Sequence, residues 1–200
     1  MPKSKNNELN NMNEIFTNCG NLTSISLENS DTNQVKSMKN MFERCTSLSS
    51  ANVINIDATN LKSLSYIFSI CKSLKEFDLT FLNKGNVDDF SWMFYHSESL
   101  ENTNFKKVNL LKTTKISAFF EGRLNIKSIN LNIDTSNIEY MDHLFADCEN
   151  IEVLDLWHFD TSKVNNMSII FKCLKKIKSL DISNFNITNC LNTSECLKNV

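Results

Sequence analysis

Seven cysteines and three histidines are the residues whose types could support metal or redox chemistry. Thiolates and imidazoles hold zinc when they are closely spaced, and paired thiols form disulfides. No C-x-x-C occurs, and His96, His143 and His158 form no H-E-x-x-H. Gly20, Gly85 and Gly122 build no phosphate-cradling loop. No acid, base and nucleophile converge in any motif, so the chain reads as a non-enzyme with no catalytic residue, metal or cofactor. A net charge of −2 argues against nucleic-acid binding, and no apolar run approaches the roughly 20 residues of a membrane span.

Four cysteines keep a spacing that points elsewhere. Cys19, Cys45, Cys71 and Cys148 each stand three residues after a phenylalanine: Phe16, Phe42, Phe68 and Phe145. Phe94, Phe120 and Phe171 complete that series, with steps of 26, 26, 26, 26, 25 and 26 residues. Self-similarity at such a period marks a repeat architecture. Six, nine and eleven residues after each anchor come apolar columns, as in Leu22, Ile25, Leu27 and Ile151, Leu154, Leu156. They spell L-x-x-L-x-L, and alternation at the end means a short strand with one face buried. Val35, Met38, Met41, Phe42 and Cys45 are spaced 3, 3, 1, 3, which predicts an apolar stripe on a helix of about three turns. Between them lie polar turns at Asp31, Asp57, Asp134 and Asp160, suited to bonding backbone amides.

The predicted fold class is α/β: a leucine-rich-repeat solenoid of about seven 26-residue repeats. Parallel strands line the concave face and short helices the convex face. Residues 1–200 read as a single leucine-rich-repeat domain, a piece of a longer array. Atypical caps or end-to-end self-association would also account for ends that look uncapped. The middle is the weak point: Ser97 and Arg123 replace the column cysteine, Thr103 takes a core leucine place, and one residue is missing before Asp134. Lys106, Lys107, Lys112 and Lys115 cluster there and read as a solvated face. Thirty asparagines are given no functional weight, and sequons at Asn21, Asn166, Asn186 and Asn192 match chance.

The run IEVLDLWHFDTSKVNNMSIIFKC, Ile151 to Cys173, resembles the BspA-like leucine-rich repeats of bacterial and protozoan surface proteins. QVKSMKNMFERCTSL follows the same pattern, and the resemblance covers about residues 10–197. It implies adhesion or recognition at a cell surface, without catalysis. MPKSKNNELN opens without the apolar core of a signal peptide. ECLKNV places Cys196 fifth from the end, which fails the prenylation pattern. Neither a leader nor an anchor is therefore expected in this stretch.

The cysteine column reads as buried free thiol packing, because three thiols in a file cannot all pair. Cys190 and Cys196 could pair in an oxidising setting. The concave strand face is the candidate binding site: Trp157, Asp155 and Val153 first, then Glu76 and Asp78, with Asn102, Asn104 and Asn130. Small polar and acidic side chains suit hydrogen bonding to a protein or glycan, and an aromatic can anchor an interface. The plainer reading of Trp157 is that it covers the strand edge against His158 and Phe159. The expected partner is a protein or glycan, with no nucleic acid and no membrane insertion. An intracellular interaction scaffold in a reducing compartment is the alternative, since seven cysteines fit a setting where disulfides are rare.

Overall fold

A computed structural model describes residues 10–53, 55–104, 108, 110–130 and 133–200. Ile54, Phe105, Lys106, Lys107, Leu131 and Asn132, which the repeat places on strands or in the basic cluster, lie outside the described residues. Among the described residues there are six short strands: β1 (Ser24–Ser26), β2 (Ser50–Asn52), β3 (Glu76–Asp78), β4 (Asn102–Asn104), β5 (Ser128–Asn130) and β6 (Val153–Asp155). They pair in parallel as β1–β2, β3–β4 and β5–β6. The registers are Ser24 to Ser50, Glu76 to Asn102, and Ser128 to Val153. Each partner is thus the same column of the next repeat, including across the 25-residue step.

Through the middle repeats most described members of the apolar columns are inside as predicted, whereas Phe16, Leu22, Ile25, Ile177, Leu180 and Ile182 in the end repeats are half-buried and Ile15 is exposed. Leu79 is 0 % exposed and Leu156 2 %. Phe16, Phe42, Phe68 and Phe94 stack nearly parallel, at centroid distances of 5.4, 5.4 and 5.9 Å. Met38, Met41 and Met93 are buried beside them, so the methionine column is core.

The predicted helices are not present. Among the described residues the only helical element is a 3-10 segment, Thr80–Lys84, and the stretch around each anchor phenylalanine is a chain of overlapping turns. Around Phe42 the backbone amides divide their bonds. Those of Met41, Glu43 and Cys45 bond three residues back, to the carbonyls of Met38, Asn40 and Phe42. Those of Met38, Asn40, Phe42 and Arg44 bond forward to Ser63, Ser65, Ile67 and Ser69 of the next repeat. Asn40 and Arg44 have φ of 56° and 59°, the conformation a type II turn demands at its third residue. The same two columns are left-handed elsewhere, as at Tyr66, Ile70, Trp92 and His96. An α-helix would spend these amides inside its own segment. Here alternate amides tie one repeat to the next, and an apolar spacing of three and four residues fits both arrangements.

A second parallel ladder therefore runs from Asn11 through Ser37, Ser63, Asp89, Lys115, Tyr140 and Asn166 to Asn192. Polar side chains reinforce it. Thr161, 1 % exposed, donates its hydroxyl to the Asn186 carbonyl at 3.0 Å and accepts the Asn186 amide at 2.7 Å. Thr32 and Thr135 bridge to Asp57 and Asp160 in the same way. The Asp turns behave as predicted: Asp57 and Asp134 accept the amides two residues on, at 2.8 and 2.9 Å. Asparagine has a structural role that composition alone did not reveal. Asn60, Asn150 and Asn189 donate their side-chain amides to backbone carbonyls of the preceding repeat.

Candidate binding site

The strands place the candidate residues in two groups. Glu76 and Asp78 are exposed on β3, in register with Asn102 and Asn104 on β4. Val153 and Asp155 are exposed on β6, and Asn130 on β5 is in register with Asp155. β3 and β6 belong to different two-stranded sheets. The alternation of the strand sends Phe77 and Leu154 into the core and Glu76, Asp78, Val153 and Asp155 outward.

Trp157 is 69 % exposed and Val153 60 %. The Trp157 ring leans on His158, with centroids 3.3 Å apart. Phe159 is buried and faces Phe145 and Phe185 instead. Of the two neighbours expected under the plainer reading, only His158 meets the Trp157 ring. Asp155 accepts the Trp157 amide at 3.3 Å, and Asp78 accepts the Thr80 amide at 2.8 Å. Asp181 does the same for Ser183. One oxygen of Asp78 and of Asp155 thus holds the turn that leaves β3 and β6.

The cysteines are all free. Cys45, Cys71 and Cys148 are buried, Cys19 is exposed, and Cys190 and Cys196 are half-buried and unpaired. The column does more than pack. Cys45 and Cys71 donate their thiols to the carbonyls of Phe16 and Phe42, at 3.0 and 3.1 Å. Cys148 reaches the Phe120 carbonyl at 2.9 Å, and burial pushes its thiol up to about 12. Ser97 makes the equivalent bond to Phe68 at 2.6 Å. Arg123, 0 % exposed, instead donates to the Leu100 carbonyl. Its Nε and Nη1 have no partner, and burial pulls the guanidinium down to about 10. A donor in six of the seven places, with Leu174 the exception, was the readable signal. It marks a structural column and no reactive site.

A third group was not anticipated. Tyr66 and Trp92 stack at 5.5 Å with an interplanar angle of 1°. Tyr95 meets Trp92 at 4.9 Å and 66°, and His143 approaches it at 6.0 Å. Lys39 Nζ lies 6.0 Å from the Tyr66 ring centre. Tyr66, Trp92 and His143 occupy one column two residues before the anchors, which sequence reading passed over because its other members (Glu14, Asn40, Ala118, Ile169) are so varied. The described residues also line a partly open apolar cavity of about 20 Å³, bounded by Leu79, Phe90, Ile116, Phe119 and Phe120 among others. No helix among them is long and apolar enough to cross a membrane.

Parallel strands one repeat apart, with an L-x-x-L-x-L core beneath them, are features of leucine-rich repeat proteins. The fold is indeed similar to that of the leucine-rich repeat protein TpLRR of T. pallidum, with a TM-score of 0.57. The two are 18 % identical over 84 % of this chain and 72 % of that one. A leucine-rich repeat protein from Bacteroides ovatus aligns over 93 % of this chain and 66 % of its own, at 14 % identity and a TM-score of 0.26, too low to bear on the fold. The chain belongs to the family described as "Mycoplasma protein of unknown function, DUF285", which matches residues 10–133 and 114–200. No curated protein matches it.

Proposed function

We propose that this chain is a non-enzymatic recognition module. In this reading residues 1–200 form a leucine-rich-repeat solenoid of about seven repeats, part of a longer array. The strands line its concave face, and a protein or glycan binds across that face. The leucine-rich-repeat likeness supports protein interaction, and the resemblance to BspA-like repeats extends it to adhesion at a microbial surface.

The observation that carries the site is the exposure of Trp157 and Val153 beside Asp155, on a strand face that is otherwise polar. A large apolar pair held outward on a rigid ladder is suited to burial by a ligand. Glu76, Asp78, Asn102, Asn104 and Asn130 supply the polar remainder. A binding screen against matrix proteins and glycans, run with the intact chain and with Trp157→Ala, tests this. Binding weakened at least about tenfold supports the site. Equal binding by both removes Trp157 from it.

The free state of all seven thiols favours a second reading, an intracellular interaction scaffold in a reducing compartment. Protease treatment of intact source cells separates the two. Digestion from outside supports the surface reading, and full protection supports the intracellular one.

A further inference from the structure

The turn ladder carries a cluster of aromatic residues on its outer side. At the position two before the anchor, the backbone is left-handed in every described repeat, and Asn40 and Ala118 fill the place in two of them. Tyr66 and Trp92 adopt φ of 59° and 63° there, and His143 59°. Asparagine tolerates this conformation well, whereas a bulky side chain pays on the order of 1–2 kcal/mol. The rings are half-buried, stacked along the ladder with part of each surface left open to solvent.

The cluster has a definite shape and sign. Trp92 and Tyr95 form a corner at 66°. Glu121 stands against its edge: the carboxylate is nine-tenths buried, and Oε2 lies 3.2 Å from His143 Nδ1. Neither of those two atoms has a hydrogen bond of good geometry. Burial raises both tyrosine hydroxyls, and so do the carboxylates around them: Glu43, Asp89 and Glu121 about Tyr66, Glu121 and Asp147 about Tyr95. Lys39 and Lys172 are the lysines on this side, and Arg44 pairs with Glu43 at 3.7 Å. Lys39 already sits over the outer ring of the stack.

We propose that Tyr66, Trp92, Tyr95 and His143, with the carboxylate of Glu121, form a second binding site that takes a lysine or arginine side chain of a protein partner. Aromatic faces attract a cation through the ring quadrupole, and the attraction grows when a carboxylate shares a partly desolvated site. The site lies on the turn ladder and is independent of the strand-face reading, so either can fail alone.

Hexa-arginine is the probe, with hexa-glutamate and an uncharged Gly-Ser peptide as controls. In a Trp157→Phe background the remaining indole is Trp92, and its fluorescence reports the site. The expected result is a saturable change with hexa-arginine only. Glu121→Gln and Tyr95→Ala should each weaken it at least about tenfold, while the remote Glu152→Gln leaves it unchanged. Glu121→Gln preserves shape, and an unchanged melting temperature shows that the fold is intact. The inference is overturned if there is no saturable change, if Glu121→Gln binds as tightly as its parent, or if Glu152→Gln weakens binding as much.

Discussion

From Phe16 to Phe94 the anchor rings lie nearly face to face. Phe94 then meets Phe119 edge-on at 5.3 Å and 81°, and the file resumes with Phe120, Phe145 and Phe171 at 5.8 and 6.1 Å. The two regions share a backbone ladder, because Asp89, Lys115 and Tyr140 are bridged like the rest. They differ in side chains. The first has Cys45 and Cys71 bonded to anchor carbonyls; the second keeps that bond at Cys148 but has Arg123 in the preceding place, with two nitrogens unpartnered, and an apolar cavity nearby. Backbone pairing between repeats therefore tolerates a break in the packing beneath it. The bonds run between backbone groups and need only the spacing, while the core needs shape.

Four measurements break or sharpen this comparison. Phe68→Ala removes a ring stacked on both sides in the regular region, and urea unfolding should show a loss of about 3–5 kcal/mol. A loss below about 1 kcal/mol would mean that the file is not cooperative. Arg123→Met acts in the other direction. It keeps the aliphatic stem and removes a buried charge, so stability should rise by about 1–3 kcal/mol. A decrease would show that the Leu100 bond outweighs the desolvation. Thr161→Val deletes both bonds to Asn186 and should cost about 1–2 kcal/mol by the same assay. The corresponding positions Ala58 and Leu110 cannot make such bonds, so no hydroxyl bridge of this kind exists there to lose.

The smallest effect concerns acid. The Ser136 hydroxyl and amide hold Asp134 below its usual range, and those of Ser162 do the same for Asp160. A carboxyl depressed in the folded state contributes stability that is complete above its unfolded value, about 3.9, and is lost as pH falls through the folded value. The double variant Asp134→Asn, Asp160→Asn should therefore unfold slightly more easily at pH 7. Its melting temperature should converge with that of the parent below about pH 3.9. A constant gap down to pH 2 would show that these turns do not depend on the charge.

Much of this was legible from residue spacing. The Phe42, Phe68, Phe94 file follows from periodicity, and so do the burial of Leu79 and Leu156 and the outward Glu76, Asp78, Val153 and Asp155. Strand alternation and a fixed repeat length leave few other arrangements. Three matters were not legible. The stripe Val35, Met38, Met41, Phe42, Cys45 has helical spacing, yet its amides find partners in the next repeat. The cysteines looked like packing and proved to be donors to a neighbouring carbonyl. The aromatic corner at Trp92 and Tyr95 drew on a column whose residue types share nothing.

The amino-acid sequence by itself determined which side chains face inward and which repeat sits beside which, since both depend only on period and hydropathy. The tertiary structure decided whether a segment coils or turns, and which surface groups meet. A backbone amide takes the best acceptor within reach, and for half the amides around each anchor that acceptor lies about 25 residues away on a neighbour. No local pattern contains that partner, so only the stacked repeats supply it.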